Sequence, residues 1–299
     1  TASDRLVLYF VTLTVRVLSF WANRLITSQC CLPGCTLRLV RRGHVRLSNR
    51  PSTKDSFRIV ETEIIPKKPV VINGLPDVGL VGLLAASHII SSLKLKEVGS
   101  IESDLLPPMI VLHGGLPKSP MRIFADDSMV VIIAETVVPV SLLRPLADGL
   151  VDWAQSKGTQ LLLSLGGMAV ANRQDIDAPK VFAAFSEKGL EPRLKGAAEV
   201  LEEGYIVGAY GLILRKCAEA SLPAITLLTQ SHYNYPDPEA AAAVLSVVNK
   251  ILDLKVDVSE LLRRGEEIRL RSKDMMHRTQ EEMVRMNKSH EYDLPPLYG

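Results

Sequence analysis

Cysteine and aromatic side chains are scarce in this chain. Beyond residue 56 there is a single cysteine, Cys217, so the main body has no disulfide framework and suits a reducing, cytoplasmic setting. Aromatics make up 5% of the sequence, which argues against a surface for stacking bases, and nucleic acid is not an expected partner. The motifs of phosphate binding and hydrolysis are missing too. No Gly-Lys-Ser or Gly-Lys-Thr closes a glycine loop, no Gly-x-Ser-x-Gly elbow occurs, and no His-Glu-x-x-His or paired-cysteine pattern offers a metal site. Neither a cofactor nor a metal is therefore expected for the body.

Negative charge is scarce at the beginning of the chain. Residues 1–55 hold nine Arg or Lys against two acids, a formal +7 that leaves the rest at −5 within the overall +2. Cys30, Cys31 and Cys35 also lie in this leader. Three sulfurs make at most half a metal site, with His44 as a weak fourth candidate. The stretch from Leu6 to Ala22 is apolar, but Arg16 interrupts it, so a membrane span is not expected. Residues 1–56 are read as a basic leader of doubtful origin, a transit peptide or a non-native start among the possibilities, and are set apart from the fold.

From Phe57 the pattern becomes regular. Short β segments are expected at 58–65, 70–72, 97–102, 109–112, 121–125, 129–134, 160–165, 180–185 and 224–228, and helices at 78–93, 142–157, 206–220 and 238–252. Asp77 and Asp237 stand where helix N-caps belong, the second followed by a proline in the first turn. Alternation of strands and helices predicts a mixed sheet between two helical layers over residues 57–258. Residues 259–290 read as a charged helical extension with one thin apolar stripe rich in methionine.

Two glycine clusters invite a ligand. In Gly74-Leu75-Pro76-Asp77-Val78-Gly79-Leu80-Val81-Gly82 the spacing is wrong for a phosphate cradle, so Gly79 and Gly82 are read as letting the helix lie close on the sheet. Gly166-Gly167 follows an apolar strand, where a turn and a ligand loop explain it equally well. His88 falls inside an apolar helix and reads as a core histidine. His113-Gly114-Gly115 lacks a nucleophile elbow, and the acids Asp77, Glu102 and Glu135 have no visible pairing, so no catalytic set stands out.

The chain's last residues, Leu297-Tyr298-Gly299, follow the stiff pair Pro295-Pro296. Proline keeps the preceding backbone extended, so residues 291–299 read as a tail that presents an apolar residue and a tyrosine for insertion into a partner.

Three passages taken together resemble the proteasome-assembly-chaperone family, specifically its archaeal homologues. The first is the 74–82 run with Leu106-Pro107-Pro108 and Gly114 beyond it. The second is Gly208-Ala209-Tyr210-Gly211-Leu212-Ile213-Leu214 with Leu222-Pro223-Ala224. The third is Tyr235-Pro236-Asp237-Pro238-Glu239-Ala240-Ala241. The resemblance spans about residues 57–262 and implies a three-layer αβα sandwich like that of the purine nucleoside phosphorylases, without their active site. It also implies a tail of hydrophobic-Tyr-any-residue type, here Leu297, Tyr298 and Gly299, that docks between α-subunits of the proteasome α-ring. On that basis the chain is expected to be a non-enzymatic, ATP-independent assembly chaperone or activator that works as a homo-oligomer, a tetramer being one possibility. Two alternatives stay open: a small-molecule enzyme of nucleoside-phosphorylase-like or ATP-dependent ligase type, and a scaffold that self-assembles through its charged last helix.

Overall fold

The computed structural model describes residues 57–286 and Lys288. The leader 1–56, with its cysteines and His44, lies outside the described residues. So do Asn287 and 289–299, with Pro295, Pro296, Leu297, Tyr298 and Gly299.

Among the described residues eleven strands form in chain order: β1 Arg58–Glu61, β2 Val70–Gly74, β3 Lys96–Glu102, β4 Val111–His113, β5 Leu116–Lys118, β6 Met121–Ala125, β7 Met129–Ala134, β8 Leu161–Ala169, β9 Val181–Phe185, β10 Glu199–Val200 and β11 Ala224–Ser231. The helices are α1 Val81–Leu93, α2 Val140–Ser156, α3 Ala209–Glu219, α4 Pro238–Leu252, α5 Ser259–Arg263 and α6 Gly265–Arg285. Nine strands make one sheet in the order β1-β3-β6-β7-β2-β8-β11-β9-β10. Its middle, β7-β2-β8-β11, is parallel, and β6-β7, β3-β6 and β1-β3 add an antiparallel flank. On the other side β9 runs antiparallel to β11 and carries the short β10.

Both faces of the sheet are covered, as a parallel centre requires. Val71 and Ile72 alternate between two apolar clusters: Ile72 belongs to the one under α1 and α4, Val71 to the one under α2 and α3. The three-layer αβα sandwich is thus a consequence of β2, β7 and β8 being apolar at nearly every position. The turn between β6 and β7 is closed by Asp126, whose Oδ1 accepts from the backbone N–H of Ser128 and Met129 and so fixes the register of the two strands.

Several expectations need correction. The helix expected over 78–93 is broken: Val78–Leu80 is one 3-10 turn and α1 starts at Val81, because Gly79 (φ +61°) and Leu80 (φ +52°) are left-handed. Asp77 makes no capping hydrogen bond. Gly166-Gly167 is neither turn nor loop, since β8 continues through it to Ala169. The 109–112 segment lies outside the main sheet, in a two-stranded hairpin of β4 and β5 turning at Gly114 and Gly115. The last helix divides at Arg264 into α5 and α6.

Candidate functional site

Open α/β sheets hold ligands at the carboxyl ends of their parallel strands. Here β2, β8 and β11 end side by side, and the three passages picked out in the sequence meet at that point. The 74–82 segment leaves β2 as a strap across the ends of its neighbours. Tyr210, at the start of α3, reaches under it. Its hydroxyl accepts from Leu75 N–H and donates to Leu75 C=O, both at 2.9 Å. Burial pushes the Tyr210 hydroxyl well above the usual tyrosine range, so it stays protonated and keeps both bonds.

Two glycines make this closure possible. A Cβ on Gly166 would lie 2.6 Å from the Tyr210 ring, and one on Gly82 would lie 1.9 Å from the Leu165 carbonyl oxygen. Gly82 therefore does what the sequence suggests, bringing α1 against β8. The pair in β8 is there to admit the tyrosine and the strap, since Gly167 faces the Val78 carbonyl.

The third passage locks the strap from the other side. Asp237 N–H donates to the Gly79 carbonyl at 2.8 Å, and the Asp237 carboxylate caps α4 by accepting from Ala240 N–H at 3.0 Å. The same carboxylate forms a two-pronged pair with Arg173, Nε to Oδ2 at 2.8 Å and Nη2 to Oδ1 at 3.0 Å, with both side chains buried. Ser231 Oγ and His232 N–H also donate to its Oδ2. Arg173 went unnoticed in the sequence, because an arginine in a polar loop looks solvated. Pro236 and Pro238 flank this aspartate, whereas Tyr235 points outward.

Lys288 completes the site. Its Nζ donates to the Val207 carbonyl at 2.6 Å and lies 3.2 Å from Asp77 Oδ2, with 1% of the lysine side chain exposed. Burial raises the Asp77 carboxyl above its usual range, and the Lys288 charge opposes that shift. The strand-end crevice is thus filled by Tyr210, the strap and Lys288, three residues beyond α6.

The remaining candidates are dispersed. His88 Nε2 lies 2.7 Å from the Asp257 carbonyl oxygen and is a satisfied core residue. His113 sits at the β4–β5 tip, 3.1 Å from Glu135. Glu135 shares Arg122 with Glu97, so the two acids are salt-bridged partners of one guanidinium. Glu102 pairs with Arg58 at the edge strand. Among the described residues no cluster of three or more His, Cys, Asp or Glu side chains is placed to hold a metal, and no helix is long and apolar enough to cross a membrane.

A mixed nine-stranded sheet whose ligand crevice is closed by its own chain defines a three-layer α/β scaffold. Within that class the chain belongs to the PAC2 family, whose model matches residues 71–276. It is similar to Pyrococcus furiosus PbaA, described as an archaeal homolog of proteasome-assembly chaperone, with 29% identity, a TM-score of 0.71, and coverage of 75% of this chain and 98% of that one. It is also similar to P. furiosus PbaB, an archaeal proteasome activator, with 30% identity, a TM-score of 0.63, and coverage of 77% and 98%. Uncharacterized protein MJ0106 of Methanocaldococcus jannaschii is 30% identical over 246 residues, 82% of this chain and 99% of the relative.

Proposed function

We propose that this protein is a non-enzymatic, ATP-independent proteasome assembly chaperone or activator that inserts Leu297-Tyr298-Gly299 between α-subunits of the proteasome α-ring in the cytoplasm. The observation that carries the reading is the end of α6. Lys288 is held inside the body at Asp77 and Val207, so the eleven residues after it start from a rigid point. In the bound state Leu297 and Tyr298 bury their side chains between two α-subunits, and the carboxylate of Gly299 pairs with a basic residue there. Pro295 and Pro296 keep the segment extended and lower the entropy lost on insertion. One such tail binds weakly, and self-association of the body, as in a tetramer, brings several to one ring at high effective concentration.

The likeness to an archaeal proteasome activator and to a chaperone homologue supports this reading. The enzyme alternative finds less support, because the crevice that would hold a nucleoside or nucleotide is occupied by Tyr210 and the strap. Deleting residues 297–299 tests the proposal. The expected result is loss of α-ring capture with an unchanged thermal midpoint, and capture that survives the deletion would defeat it.

A further inference from the structure

An uncharged polar row crosses the middle of the sheet. Asn73 on β2, Ser164 on β8 and Thr226 on β11 are register partners, side by side on three parallel strands. Val71, Leu162 and Ala224, two residues earlier on the same strands, belong to the apolar cluster under α2 and α3. By the two-residue period of a strand, the polar row faces that same layer. Its members are 0%, 1% and 1% exposed. Both polar atoms of the Asn73 amide, and the Ser164 hydroxyl, are buried without a hydrogen-bond partner among the described residues. Exchanging the amide oxygen and nitrogen brings no relief, because neither position has a partner.

We propose that this row is an internal hydration site, in which ordered water bridges Asn73 and Ser164. Buried polar groups are almost always paired, and leaving these three atoms dry costs more than immobilising a water that serves them together. Water suits the row better than other small ligands do. The row bears no charge and so offers nothing to offset the desolvation of an ion, whereas an amide and two hydroxyls supply the donors and acceptors that water needs. Room comes from the side chains along β8. Ser164 stands between Leu162 and Gly166, and the Tyr210 ring lies against Gly166, so the serine is the low point between two large neighbours. The water then ties β2 to β8 through side chains as well as backbone. Because Tyr210 and the strap close the strand ends beyond it, this water exchanges with bulk solvent only when the structure opens locally.

A crystal structure of the full chain, at a resolution that shows ordered water, tests the proposal. Density is expected within about 2.7–3.2 Å of both the Asn73 amide and Ser164 Oγ. In solution, the Asn73 side-chain amide protons should show nuclear Overhauser cross-peaks to water with the sign of a long-lived complex. Asn73→Leu keeps the shape of the side chain and removes its polar atoms, and the water density is expected to be lost. Should that variant not fold, Ser164→Ala replaces it, with loss of the amide-to-water cross-peak as the expected result. An amide and hydroxyl turned onto each other with nothing between them overturns the proposal, as does density that refines as an ion. A water signal unchanged by the substitution overturns it too, since the water is then held by other groups.

Discussion

The Lys288 ammonium lies 3.2 Å from the Asp77 carboxylate, with 1% of the one side chain and 9% of the other exposed to solvent. The pair joins the end of the last helix to the strap that leaves β2. Removing either partner strands a buried charge, which typically costs about 3–5 kcal/mol, whereas removing both is far cheaper. Lys288→Met is therefore expected to lose roughly 3 kcal/mol in urea unfolding, and Asp77→Asn with Lys288→Met together to recover most of it. The pH dependence has a definite sign. Because the folded Asp77 carboxyl is raised, its contribution is fully present below the unfolded value and is lost as pH rises through the folded one. That loss should be steeper in Lys288→Met, where the opposing cation is gone, and equal slopes for the two proteins over the acid range would contradict the assignment.

Gly82→Ala should be strongly destabilising even though alanine is the better helix former by about 1 kcal/mol. The added methyl would stand 1.9 Å from a backbone carbonyl of β8, which has no rotamer to yield with. A loss of about 3 kcal/mol, or failure to fold, is expected. At Gly114, in open space on the β4–β5 turn, the same change should cost only about 1 kcal/mol, for its left-handed backbone. Thermal midpoints of the two variants decide the matter.

Asp237→Asn separates capping from charge. Asparagine caps a helix as well as aspartate does, so α4 keeps its N-cap while Arg173 is left buried without a counter-charge. The expected loss is about 3 kcal/mol. Glu239→Gln, two residues on, disturbs a partly exposed pair with Arg269 and should cost about 1 kcal/mol or less. Denaturant midpoints of similar size for the two variants would refute the distinction.

Cys217 is fully buried in α3, and burial pushes its thiol up to about 12. It should resist iodoacetamide at pH 8 in the native protein and react only on unfolding. Mass mapping of the labelled peptide reads this out. Rapid native labelling would mean that α3 opens locally from the sheet.

Much of the scaffold is legible because its signals are local. Helix α4 announces itself through Asp237, Pro238 and an alanine-rich run, and β2, β7 and β8 through unbroken apolar stretches. The errors have a common cause in partners far along the chain. A glycine pair after an apolar run looks like a turn, and only the ring of Tyr210 reveals why β8 needs Gly166 where it is. Leu80 gives no local hint of its left-handed backbone, which is imposed by the strap being held at Gly79 and Leu75. The three passages that carry the family likeness are visible as sequence, but their convergence on one crevice is not. Arg173 and Lys288 were missed because a buried cation is recognisable only beside its carboxylate.

The anchoring of Lys288 also has a mechanical meaning. Asp77 lies three residues beyond β2, which is the fifth strand of nine and hydrogen-bonded on both sides to parallel neighbours. A pull on the chain beyond residue 288 is thus transmitted to the middle of the sheet, not to an edge that could peel away. Tension from a large moving partner would load the central strand of the sheet first.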